Sequence, residues 1–254
     1  MSVLQHLQRS IMPGEVLEVV VGFSRVAVLV RTERGLSCGL AATLLNSEYH
    51  HRCQPVVRNS GSLHKLSTVE LAAMVESESL TEAAIGMAAI NALLPVDPGS
   101  MVEMNAEEYI VDNCQDKDVA FIVHFPFGEK IHKKARNYWI FEMNPKEGDL
   151  PASSAPDYLP KADIVAITAT TLINKTFDEI TALCKPGAEV IMLGPSTPMT
   201  PELYAYGLTI LSGIQVLNPF ETILDISQGG SSHMLNKKGY IRYVTMRKNL
   251  GSKV

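Results

Sequence analysis

Two hydroxyl-rich stretches carry most of the chain's chemical promise. The first is Thr168-Ala169-Thr170-Thr171-Leu172-Ile173-Asn174-Lys175-Thr176, and the second is Gly194-Pro195-Ser196-Thr197-Pro198. Serine and threonine are good helix caps and turn formers, which accounts fully for Thr176 and for Thr200 further on. It accounts less well for Thr168, Thr170, Thr171 and Asn174 before the cap, or for Gly194, Ser196 and Thr197. Hydroxyls and amides placed before helix N-termini suit an anion or a polar organic ligand. Glu142 ends an apolar run, a place where nucleotide-binding folds put an acid on a ribose hydroxyl, although a solvated strand end reads the same way. His124-Phe125-Pro126-Phe127-Gly128 follows an earlier apolar run but has no G-x-G-x-x-G, and Pro126 removes a backbone donor. NAD bound in the usual manner is therefore not expected. His50-His51-Arg52-Cys53 is the one local cluster of soft ligands, but adjacent histidines seldom reach one ion together, so a chance surface cluster is expected there. No Ser-His-Asp arrangement, Walker loop or C-x-x-C is present, and no hydroxyl has an evident base beside it, so no nucleophile is assigned.

The elements that must position these residues divide at about residue 100. Ser2-x-x-Gln5 caps a short helix that Pro13 ends. Glu15–Val21, Arg25–Arg31 and Leu36–Leu44 are runs separated by turns around Gly22 and Glu33-Arg34-Gly35, which predicts an antiparallel meander. Ser67-x-x-Glu70 and Ser79-x-x-Glu82 are two capping boxes. The helix from Ala83 to Leu94 is rich in small residues and apolar nearly all round, so it should be buried. Beyond Pro98-Gly99, strands alternate with helices: Val119–Phe125, Tyr138–Glu142, Asp163–Thr168, Glu189–Leu193, Leu208–Leu211 and Tyr240–Met246. Helices are expected near Gly128–Arg136, after Thr176 and Thr200, and from Asn218-Pro219 to Gly229-Gly230. Continuous apolar runs such as Ile164-Val165-Ala166-Ile167 suit strands covered on both faces, so a mostly parallel, doubly wound sheet of five or six strands follows. Asn144–Pro160, with four prolines, reads as a long loop over the sheet edge. The expected division is 1–100 for a smaller α+β unit and 101–254 for a Rossmann-like one.

At 254 residues, with 46% hydrophobic and 19% charged residues, the chain can bury a substantial core. Its net charge of −5 argues against a nucleic-acid partner. No run is long and apolar enough to span a membrane. Four scattered cysteines (Cys38, Cys53, Cys114 and Cys184) show no disulfide framework, which points to a reducing cytoplasm. A homo-oligomer stays open.

The two hydroxyl-rich stretches resemble the signature of a prokaryotic family described as "Putative heavy-metal chelation". Gly86-Met87-Ala88-Ala89-Ile90-Asn91-Ala92-Leu93 resembles its N-terminal motif, and Glu142 with Gly148-Asp149-Leu150-Pro151 its middle one. The resemblance spans essentially the whole chain. It implies an enolase N-terminal-like domain followed by a Rossmann-like domain, with a site where they meet, and it places Asn91 in that site. Family members carry a glycine just after the first Rossmann strand. His124 stands at about that position, where it either argues against a close backbone approach to a ligand or offers an extra metal-capable side chain in the crevice. Two functions compete: a protein handling a metal ion or a metal-bearing small molecule, or an enzyme acting on a nucleotide-like or other anionic molecule. Hydroxyls and amides favour hard cations or polar organic ligands over soft heavy metals, and a metal ion stays open as cofactor.

Overall fold

The computed structural model describes residues 1–44 and 57–248. His50, His51 and Cys53 lie outside the described residues. Helix α1 (Val3–Arg9) opens with a complete capping box between Ser2 and Gln5. Strands β1 (Gly14–Val21), β2 (Arg25–Thr32) and β3 (Gly35–Ala42) form the antiparallel meander that the turn residues anticipate. Helix α2 (Thr68–Ala73) follows, also with a complete capping box, from Ser67 and Glu70.

Helix α3 (Leu80–Leu93) is the pivot of the molecule. All of its residues except Leu80 and Asn91 are buried, as its small-residue composition requires. It packs against β2 and β3 so tightly that side chains are excluded at the contact. A Cβ on Gly39 of β3 would lie 2.1 Å from the Ala88 carbonyl oxygen and 2.2 Å from the Ala92 nitrogen. The expected second capping box is only half formed. Ser79 accepts from the Glu82 amide, but the Glu82 carboxylate turns away to the Arg58 backbone and guanidinium and to the Ser77 hydroxyl.

The second sheet has seven strands in the order β10-β9-β8-β7-β4-β5-β6: β4 (Asp118–Ile122), β5 (Asn137–Glu142), β6 (Leu150–Pro151), β7 (Ile164–Thr168), β8 (Glu189–Leu193), β9 (Ile210–Val216) and β10 (Ile241–Arg247). All neighbours run parallel except β10, which pairs antiparallel with β9. The order runs outward from β4 in both directions and reverses between β4 and β7. That reversal is the topological switch point at which doubly wound sheets open a crevice. Both faces are covered, as the apolar runs demand. Ala120, Ile122, Val165 and Ile167 join one continuous core with α3 and the meander, while Val119, Phe121, Ile164 and Ala166 join a second core with Ile110 and Ile131.

Helices α4 (Ala106–Asn113), α5 (Gly128–His132), α6 (Ala155–Tyr158), α7 (Thr170–Ile173), α8 (Phe177–Leu183), α9 (Pro219–Ser227) and α10 (Ser232–Lys237) complete the layers. The helices differ from expectation in several places, and α4 and α7 stand where no helix is expected. The proline-rich loop contains α6 and contributes the two-residue β6 to the sheet edge. The segment after Thr200 is a 3-10 helix, Pro201–Tyr206, closed by left-handed Gly207. Helix α10 follows Gly229-Gly230, where no further helix is expected; Ser231 caps it. Among the described residues, no helix is long and apolar enough to cross a membrane.

Candidate functional site

The residues singled out in the sequence fall around two cavities and the loops between them. The first cavity, of about 360 Å³, lies between the meander and the loop after β8. Its walls come from Arg34, Cys38 and Gly39 on one side, Asn91 of α3 at the base, and Pro195 and Thr197 on the other. Asn91 is in reach because it is the position after Leu80 where α3 is not sealed off. Its amide nitrogen donates to the Leu40 carbonyl at 2.9 Å and to the Ser196 carbonyl at 3.1 Å. Ser196, itself buried, accepts from the Ala42 amide at 2.8 Å. These bonds stitch β3, α3 and the β8 loop together. They also fix the orientation of the Asn91 amide, because both of its hydrogens are committed.

The same geometry leaves two oxygens without partners. Asn91 Oδ1 and Thr197 Oγ1 are buried and form no hydrogen bond among the described residues. Buried polar atoms are nearly always paired, since leaving one unpaired costs about 1–3 kcal/mol. Asn91 Oδ1 can only accept, whereas the Thr197 hydroxyl can donate or accept. Arg34, at the β2–β3 turn, forms no ion pair with any described residue and brings the cavity its positive charge; no carboxylate is found among its described lining residues. Cys38 adds no thiolate. Burial, helped by the charge of Glu18, pushes its thiol up to about 12, and a protonated thiol is a poor ligand for a soft metal.

The second cavity, of about 290 Å³, opens beyond the carboxyl ends of β4, β5 and β7, at the switch point. Thr168, Thr171 and Asn174 line it, and each is partly committed within its own loop. Thr171 donates its hydroxyl to the Thr168 carbonyl at 2.8 Å, the Thr168 and Thr170 hydroxyls pair at 3.0 Å, and Asn174 Oδ1 accepts from the Thr176 hydroxyl and amide. Thr176, expected to cap α8, makes no side-chain cap there; its amide and hydroxyl turn back to Asn174. The two helices here have four and seven residues, too short for much of a macrodipole. Thr170, Gly194, Ser196 and Glu142 line neither cavity. Gly194 instead makes the tight turn after β8, with φ +118° and its carbonyl accepting from the Thr197 amide. The two hydroxyl-rich loops thus lie side by side on the same sheet edge, joined by the Ala169 amide to the Leu193 carbonyl, but they face different spaces.

The loop after β4 has the opposite character to a phosphate cradle. The His124 amide is taken by Glu142 Oε1 at 2.9 Å, so a carboxylate sits where a diphosphate would need a free donor. His124 Nε2 lies 2.6 Å from Asp149 Oδ1, whose side chain is only 1% exposed. Just before His124, Val123 adopts a left-handed conformation at φ +76°. A β-branched residue there is strained.

Sequence reasoning did not find Arg34 and Cys38, because both stand in segments that read only as turn and strand. It did not find the His124–Asp149 pair either, since the partners come from loops after different strands. Among the described residues, no group of three or more His, Cys, Asp or Glu is arranged to hold a metal ion.

Comparison with known proteins places this arrangement. The chain is 26% identical over 226 residues to an uncharacterised protein of Methanocaldococcus jannaschii, covering 86% of this chain and 85% of that one. Two crystal structures of proteins of unknown function share the fold. One, from Desulfitobacterium hafniense, has a TM-score of 0.80 at 23% identity over 97% of this chain and 98% of that chain. The other, from Pyrococcus horikoshii, has a TM-score of 0.81 at 20% identity over 96% and 98%. Both are DUF364 family proteins. Residues 4–94 match the DUF4213 family and residues 105–245 the DUF364 family, each described as "Putative heavy-metal chelation". The chain therefore belongs to the DUF364 family.

Proposed function

We propose that the chain binds a small organic anion that also carries a hydrogen-bond donor, such as a hydroxy acid or an amino acid, in the crevice between the meander and the β8 loop. The observation that carries this reading is the pair of buried oxygens without partners, Asn91 Oδ1 and Thr197 Oγ1, on the walls of one cavity. A ligand hydroxyl or ammonium would satisfy Asn91, the Thr197 hydroxyl would donate to a carboxylate, and Arg34 would neutralise the charge. The division of the chain into 1–100 and 101–254 belongs to the same reading, with the ligand between the two parts.

The family description is compatible with this chemistry. Hydroxy acids and amino acids chelate metal ions, so a metal would arrive already complexed, without thiolate ligands from the three described cysteines. The test is a thermal-shift and calorimetric titration with citrate, malate, serine and inorganic phosphate, with and without nickel or zinc. Thr197→Val should weaken the bound acid by about 1–3 kcal/mol through the lost hydrogen bond, and Arg34→Ala should reduce the salt dependence of binding. Tight zinc or copper binding without any added acid, lost on replacing His50, His51 and Cys53 by alanine, would overturn this reading in favour of direct chelation.

A further inference from the structure

We propose that the cavity at the switch point is a second ligand site, and that it takes a small organic cation with an apolar body. This goes beyond the anion crevice and does not rest on it. The walls of the switch-point cavity are mostly hydrocarbon: Ile122, Phe141, Ile180 and Leu183 from the strand ends and α8, with Ala155 and Pro156 closing one side. Its volume of about 290 Å³ is at the small end of ligand sites. No lysine, arginine or histidine is found among its described lining residues. Its one formally charged wall residue is Glu179 on α8, exposed and in no ion pair with a described residue.

The surrounding strand ends reinforce that sign. Glu142 ends β5 and Asp149 lies on the loop after it, held by the His124 amide and by the Lys146 amide together with the His124 ring respectively. A phosphate or carboxylate entering here would meet carboxylates and spent donors. An ammonium would meet Glu179, the Thr168 hydroxyl as acceptor, and the ring of Phe141, an aromatic residue of the kind that attracts organic cations. Met143, 75% exposed at the mouth, offers a flexible, polarisable surface for the apolar body. The strained Val123, on the cavity wall, is the type of backbone outlier that clusters at ligand sites.

Three probes of matched body test the idea on the full chain by saturation-transfer NMR and calorimetry: tryptamine, neutral 3-methylindole and anionic indole-3-acetate. The expected order is tryptamine tightest and indole-3-acetate weakest. Glu179→Gln, at an exposed position without structural bonds, should bring tryptamine down to the level of the neutral probe, a loss of about fivefold for a partly exposed ion pair. Ala152→Trp, at the exposed rim, should exclude the cationic and neutral probes without disturbing the core. Indole-3-acetate binding as tightly as tryptamine, tryptamine binding unchanged in either variant, or no binding of any probe would overturn the proposal.

Discussion

Thr197→Val should make the ligand-free protein more stable, not less. Thr197 is 3% exposed and its hydroxyl has no partner among the described residues, so the native state carries the desolvation of that oxygen uncompensated, at about 1–3 kcal/mol. Valine has the same branched shape and adopts the same rotamer class, so the replacement opens no cavity and removes no hydrogen bond. The expected gain is about 1–3 kcal/mol. For a chain of this length each kcal/mol moves Tm by roughly 2–4 °C, so Tm should rise by about 2–12 °C. Asn91→Ala provides the contrast. It deletes two real hydrogen bonds, to Leu40 and Ser196, and should destabilise by about 1–2 kcal/mol even after the relief at Oδ1. Scanning calorimetry of both variants, extensively dialysed, measures the two signs. A fall in Tm for Thr197→Val would mean that the hydroxyl is satisfied in the free protein, which removes the ground for placing a ligand there.

Three further outcomes follow from the packing and the titrating groups. Gly39→Ala forces a methyl against the α3 backbone and should cost at least about 1–3 kcal/mol by urea unfolding. Burial raises the Glu82 carboxyl, but hydrogen bonds from Arg58 and Ser77 outweigh it and hold the group below its ordinary value of 4.5. A depressed carboxyl adds stability that is complete above the unfolded value and is lost as pH falls through the folded one. Glu82→Gln should thus cost about 1.5–3 kcal/mol at pH 7, with the gap to wild type closing below about pH 4.5, as a pH series of melts would show. Cys38, and Cys184 at about 11, are both raised by burial, so neither should react readily with iodoacetamide at pH 7 in the native protein; rapid alkylation of Cys38 would show that the crevice opens enough to expose it and refute its burial.

Apart from the two-residue β6, the strands of both sheets were legible because their burial is two-sided or alternating, and apolar runs between turn residues have few other uses. Ser2, Ser67 and Asn218 were legible as caps because the bonds they make are local. Glu82 was misread for a non-local reason. The same S-x-x-E pattern that closes a box at Ser67 is overridden when Arg58 and Ser77 compete for the carboxylate. The antiparallel turn of β10 could not be read from its residues, since a buried strand looks alike in either direction. The hydroxyl-rich loops were found by composition, but composition does not say which way a side chain faces: Thr168 and Thr197 stand at neighbouring strand ends and border different cavities. Arg34 and Asp149 needed three-dimensional neighbours before they meant anything chemically.

The burial of α3 has a consequence for how the chain can be cut. Its apolar surface is covered partly by β2 and β3 and partly by the core it shares with Ala120, Ile122, Val165 and Ile167. A fragment ending near residue 100 would display that helix as a sticky cylinder, and the remaining fragment would display the bare face of its sheet. Each piece alone should aggregate, while the two expressed together in one cell should reassemble into a soluble pair. The linker after Pro98 would then be dispensable as a covalent bond, a natural place to break the chain for split-protein reporters.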